Sequence, residues 1–125
     1  MKFFGKVIVL ILISVFISGC SSSGWKNITT EEAKSMLETK PDEVVIIDVR
    51  TIEEYNSGHI PEAKLYPLQT LEAQLGELDK EKEILVICRS GNRSQSASDI
   101  LINNGFKNIY NVEGGMQSWN YETVK

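Results

Sequence analysis

The sequence predicts an α/β domain with a mainly parallel central sheet and helices on both faces. Three observations predict it. The runs Val44-Val45-Ile46-Ile47 and Ile84-Leu85-Val86-Ile87 are apolar without polar alternation, as expected of strands covered on both faces. Stretches with helical spacing separate and follow them, so strand-like and helix-like pieces alternate along the chain. Each run also ends on a residue that carries chemistry, Asp48 or Cys88, and ligands of parallel sheets bind at the carboxyl ends of strands.

Residues 1–19 read as a targeting segment. Lys2 and Lys6 give a positive start, and residues 7–17 are apolar apart from Ser14. That run is shorter than the ~18 apolar residues expected of a membrane-spanning helix. It closes on Ile17-Ser18-Gly19-Cys20, which resembles the bacterial lipobox. The resemblance implies cleavage before Cys20, a lipid on its thiol and a bacterial cell-envelope location outside the cytoplasmic membrane. An uncleaved membrane anchor is the alternative. Residues 20–24, the lipidated cysteine followed by Ser21-Ser22-Ser23-Gly24, form a flexible tether, and residues 25–125 form the folded domain. Removing 19 of the 125 residues leaves 106, enough for one small core. Loss of Lys2 and Lys6 takes the net charge from −4 to −6. An acidic domain without a basic run is a poor nucleic-acid binder.

The elements follow in order. Thr29 and Glu32 have capping-box spacing and open a helix that buries Ala33, Met36 and Leu37 before Pro41 and Asp42 break it. The strand at 44–47 ends at Asp48-Val49-Arg50. Thr51 and Glu54 repeat the capping-box pattern for a short helix stopped by Gly58. Residues 64–66 make a short strand, and Leu68, Leu71, Leu75 and Leu78 mark one face of a further helix. The acidic and lysine-rich stretch 79–83 is a solvated turn. The strand at 84–87 leads into the Cys88 loop, and a helix at 94–104 carries Ala97, Ile100 and Leu101 on one face. Gly105 suits the left-handed position after that helix. Residues 108–110 are a last short strand, Gly114-Gly115 a turn, and 116–121 at best a weak helix.

Cys88-Arg89-Ser90-Gly91-Asn92-Arg93-Ser94 is the chemical centre of the chain. A free thiol with a pKa near ~8.5 is mostly protonated at neutral pH, and the thiolate is the nucleophile. Backbone N–H groups, the positive end of a helix, Arg89 and Arg93 would all favour the anion. Ser90, Gly91, Asn92 and Ser94 count mainly as backbone donors. Gly91 permits close approach or positive φ, and Ser94 is placed to N-cap the following helix. An inert core thiol would not be followed by such a polar loop. Asp48 is a hydrogen-bond acceptor near the loop and Arg50 pairs with Glu53, Glu54 or another acid, both as structural support. His59 stabilises a turn by hydrogen bonding, and Trp119 covers the core edge. Once Cys20 carries lipid, Cys88 has no intramolecular disulfide partner, and two cysteines with the single His59 fall short of a four-ligand zinc site.

These residues resemble the rhodanese family of sulfurtransferases in its single-domain form, over roughly residues 25–119. The patterns that carry the resemblance stand in the family's order: Ile47-Asp48-Val49-Arg50 followed by Glu54-Tyr55, then Gly58-His59-Ile60-Pro61, the Cys88 loop, and Gly114-Gly115 with Trp119. Glu62 departs from the family, which usually has glycine before Ala63. The resemblance implies that Cys88 takes a sulfane sulfur from a donor such as thiosulfate, holds it as a persulfide and passes it to a thiophilic acceptor, cyanide or a cellular thiol, without metal or organic cofactor. Arg89, Arg93 and the loop N–H groups would hold the leaving sulfite and then the anionic persulfide. Two separate transfers predict ping-pong kinetics. The spacing here is Cys-x₄-Arg, whereas cysteine phosphatases, some on a rhodanese-like fold, carry Cys-x₅-Arg, whose longer loop encircles a phosphate. The alternative from another class is a non-catalytic binding or sulfur-delivery module at the membrane surface. A monomer is expected.

Overall fold

A computed structural model describes residues 24–125. Residues 1–19 and Cys20, with the leader and lipidation site assigned to them, lie outside the described residues. Five strands form one sheet: β1 (Lys26–Ile28), β2 (Val44–Asp48), β3 (Lys64–Leu65), β4 (Glu83–Ile87) and β5 (Ile109–Val112). Their order is β1-β5-β4-β2-β3, and every pairing within the sheet is parallel. Three α-helices accompany them, α1 (Thr30–Thr39), α2 (Ile52–Ser57) and α3 (Asn92–Asn103), with 3₁₀ segments at Leu68–Glu77 and Gly115–Ser118.

Burial on both faces explains the apolar runs. Successive strand residues point to opposite sides. Ile46, Leu85, Ile87 and Val112 join Ala33 and Leu37 of α1 in one core layer, beside Trp119. Ile47, Ile84, Val86 and Ile109 join Ala97 and Leu101 of α3 and Leu71 of the first 3₁₀ segment in the other. Helices therefore cover both faces, as the sequence predicts.

Helix ends follow local chemistry. The Thr51 hydroxyl accepts from Glu54 N–H, while the Glu54 carboxylate accepts from Thr51 N–H, a complete capping box for α2. Thr29 likewise accepts from Glu32 N–H at the start of α1. After α3, Gly105 (φ +88°) donates to Ile102 O and Phe106 donates to Leu101 O, a Schellman stop at the expected glycine.

Two expectations are corrected, and one strand goes beyond them. The segment carrying Leu68, Leu71 and Leu75, with Leu78 as its extended C-cap, is 3₁₀ and not α-helical. Pro67 gives it no side-chain cap, Leu68 N–H is tied to Val49 O, and Thr70 N–H bonds Pro67 O three residues back. The spacing of Leu68 to Leu71 and of Leu75 to Leu78 also suits a helix of about three residues per turn. Helix α3 begins at Asn92, with Gly91 and not Ser94 at its N-cap. Strand β1 was not anticipated, because only Ile28 of its three residues is buried.

Topology places the site. After β2 the chain moves outward to β3, and after β4 it moves the other way to β5. The connections leaving β2 and β4 diverge, which opens a crevice at the carboxyl ends of these two neighbours. Asp48 pairs in register with Ile87, so Asp48 and Cys88 meet at that switch point.

Candidate active site

Cys88 follows the last residue of β4 and is 1% exposed. Its Sγ accepts a hydrogen bond from Gly91 N–H at 3.0 Å and lies 3.3 Å from Ser94 Oγ. Gly91 has φ +109°, a conformation glycine adopts freely, and this turn aims its N–H back at the sulfur. Ser94 is the third residue of α3, and its hydroxyl donates to Gly91 O at 3.0 Å. In the thiol form the S–H can donate to Ser94 Oγ. On ionisation the Ser94 proton can turn to the sulfur instead.

These contacts bias Cys88 toward the thiolate. Burial pushes the thiol pKa up. The Ser94 hydroxyl and the N–H groups of Ser94, Gly91 and Ser90 outweigh it, and the net shift is downward. Of the backbone donors expected at Ser90, Gly91, Asn92 and Ser94, Gly91 N–H bonds Sγ directly, while those of Ser90 and Ser94 act on its charge. Asn92 starts α3, and its side chain, like those of Arg89 and Ser90, is at the exposed rim.

The other predicted residues hold the frame. Arg50 Nε lies 3.0 Å from both Asp48 carboxylate oxygens and its Nη2 lies 2.7 Å from Oδ2, with side chains 7% and 0% exposed. The same Nη2 donates to Gly58 O at 2.8 Å, and Asp48 Oδ1 accepts from Arg50 N–H. Arg50 thus pairs with Asp48, and not with Glu53 or Glu54. The pair locks the β2 exit to the turn before His59. His59 Nδ1 lies 2.8 Å from Tyr55 O, and the two rings stack at 3.6 Å.

Arg93 reaches Glu54 with both ends of its fork, Nη1 to Oε1 at 2.7 Å and Nη2 to Oε2 at 2.9 Å. The hydrogen bond from Arg93 holds the Glu54 carboxyl down at about 2, against the opposing effect of partial burial. Sequence reasoning assigned Glu54 to the helix cap and offered it as one partner for Arg50, not for Arg93. The cap and the ion pair share one carboxylate, and the arginine 39 positions away leaves no local signal.

The second missed support is Gly114-Gly115. Both have positive φ, +76° and +55°. They bring the last 3₁₀ turn against the cysteine loop, where Met116 N–H donates to Cys88 O at 2.8 Å and Gln117 N–H to Arg89 O at 3.0 Å. A β-carbon on Gly115 would collide with Cys88 O and come within 2.7 Å of Arg89 O. The glycine pair was visible in the sequence. Its role needs β5 beside β4.

The site thus centres on a buried sulfur at a parallel-strand switch point, with the Gly91 N–H and the Ser94 hydroxyl beside it. The rhodanese-like domain family matches residues 29–122, and the chain belongs to that family. It is 42% identical over 98 residues to the putative sulfurtransferase YtwF of Bacillus subtilis, covering 78% of this chain and 93% of that protein. It is 33% identical over 95 residues to the thiosulfate sulfurtransferase GlpE of Pseudomonas savastanoi, covering 76% and 87%. Identity is 44% over 78 residues with the putative sulfur carrier protein YrkF of B. subtilis, 62% of this chain but only 42% of that protein's length. Among solved structures, a rhodanese-like domain protein from Staphylococcus aureus superposes with a TM-score of 0.71 at 41% identity, covering 78% and 93%.

Proposed function

We propose that this protein is a lipid-anchored sulfurtransferase that moves a sulfane sulfur from a donor such as thiosulfate to a thiophilic acceptor through a Cys88 persulfide. The observation that carries the reading is the enclosure of Sγ, with Gly91 N–H at 3.0 Å and Ser94 Oγ at 3.3 Å. The sulfurtransferase names of YtwF and GlpE support it. The lipobox-like Ile17-Ser18-Gly19-Cys20 supports the anchor and the cell-envelope location.

The chemistry runs in two balanced steps. The Cys88 thiolate attacks the outer sulfur of the donor, a new S–S bond forms, and the old S–S bond breaks with its electron pair leaving on sulfite. The acceptor then attacks the terminal sulfur of the persulfide, and the pair of the Cys88–S bond returns to the thiolate. Donors aimed at Sγ stabilise each anionic state without reorganising. The exposed Arg89 adds positive charge at the rim for an anionic donor.

The test is thiocyanate formation from thiosulfate and cyanide by the folded domain. Wild type is expected to turn over with ping-pong kinetics and Cys88→Ser to be inactive. Equal rates for the two proteins would refute the reading. A wild type that loads sulfur but does not turn over would favour the delivery module, for which the name of YrkF is the supporting likeness.

A further inference from the structure

We propose that Glu54 sets the charge of the preferred donor: by holding both ends of the Arg93 fork it steers the Cys88 site toward sulfane donors with a single negative charge, thiosulfonates and hydropersulfides, over dianionic thiosulfate. The inference rests on the reading of Cys88 as the sulfur acceptor.

Three guanidinium groups surround the loop, and two are already neutralised. Arg50 is committed to buried Asp48 and to Gly58 O. Arg93 is committed bidentately to Glu54, with the two side chains 35% and 30% exposed. Only Arg89 has no carboxylate in ion-pair range of its guanidinium among the described residues.

Glu54 is not free to swing away. Its Oε1 also accepts from Thr51 N–H at 3.3 Å and Thr51 Oγ1–H at 3.2 Å, so the capping box of α2 anchors the carboxylate that holds Arg93. With its carboxyl held down at about 2, it keeps its charge throughout the neutral range.

Arg93 also forms one wall of a small cleft of about 50 Å³ between the β2 exit and the first 3₁₀ segment, shared with Arg50, Thr51, Pro67, Leu68 and Gln69. Besides apolar carbon, that lining offers the Thr51 hydroxyl, the Gln69 amide and two guanidinium groups, both already paired with carboxylates. A second negative charge placed there finds Arg50 and Arg93 already paired with Asp48 and Glu54, which leaves only the exposed Arg89 outside the cleft to offset it. A neutral organic group needs no such cation.

The transfer balances for either donor class. A thiosulfonate gives up its outer sulfur to the Cys88 thiolate, and the S–S electron pair leaves on the sulfinate. A hydropersulfide does the same, and the pair leaves on its thiolate. No external oxidant or reductant is consumed.

Methanethiosulfonate and thiosulfate differ by a methyl group in place of one charged oxygen, so they isolate charge from size. Wild type is expected to show the lower KM for methanethiosulfonate. Glu54→Gln keeps the shape and the cap acceptor, releases the charge of Arg93, and is expected to shift the kcat/KM ratio toward thiosulfate by roughly three- to tenfold. A purely structural role would change both donors by the same factor and leave the ratio fixed, and that outcome overturns the proposal. If Glu54→Gln does not fold, the wild-type constants decide, and a KM for thiosulfate at or below that for methanethiosulfonate overturns it. Intact mass separates the two levels: sulfur on Cys88 from both donors with no charge preference refutes only the role of Glu54, whereas no sulfur from either refutes the reading beneath it.

Discussion

At the scale of single residues, the Cys88 sulfur is governed by one hydroxyl and one turn. Ser94 Oγ lies 3.3 Å from the sulfur and 3.0 Å from Gly91 O, so its single proton serves the carbonyl or the thiolate. Removing it leaves burial to act on Cys88 with fewer opposing donors. Ser94→Ala is therefore expected to raise the pH midpoint of Cys88 alkylation by iodoacetamide, and an unchanged midpoint would show that the backbone donors suffice. Glu54 acts on stability as well. Its folded pKa of about 2 lies below the ordinary 4.5, so its contribution is complete above the ordinary carboxylate range and is lost as pH falls through it toward 2. The pair is partly exposed, and the contribution is about 1 kcal/mol. Urea denaturation of wild type and Glu54→Gln should converge as pH approaches 2, and a constant gap between them would argue against the ion pair as the source.

At the scale of elements, the loop is braced from behind by the last 3₁₀ turn. Gly115 has φ +55° and no room for a β-carbon beside the Cys88 and Arg89 carbonyls. Gly115→Ala is expected to cost about 1–3 kcal/mol in urea denaturation and to slow sulfur loading, since the loop must shift to admit the methyl group. Wild-type stability and loading in that variant would show that the brace is dispensable. The elements also show what a sequence reveals. Strands β2 and β4 were readable because burial on both faces leaves an uninterrupted apolar run. Strand β1 was not, because an edge strand with one buried residue of three has no periodic signature. The 3₁₀ character of Leu68–Glu77 was hidden because its leucine spacing satisfies both helix types.

At the scale of the whole molecule, the sheet order turns separate motifs into one site. The Cys88 loop was legible because nucleophile, glycine and helix onset are contiguous in the chain. The Asp48–Arg50 support was legible in part, two residues apart with the acid that pairs with Arg50 left open. The Arg93–Glu54 pair and the contact of Gly115 with the loop were not legible, since each depends on strand neighbours fixed only by the fold. The proposed anchor belongs to this scale too. Cys20→Ala is expected to release the protein from the membrane fraction, and unchanged retention would favour an uncleaved apolar segment.

The most direct measurement is the intact mass of the folded domain after incubation with thiosulfate and removal of excess donor. Wild type should gain one sulfur atom, mapped to Cys88, and lose it on addition of cyanide, while Cys88→Ser should gain none. No mass gain on the wild type, or the same gain on Cys88→Ser, would contradict Cys88 as the sulfur carrier.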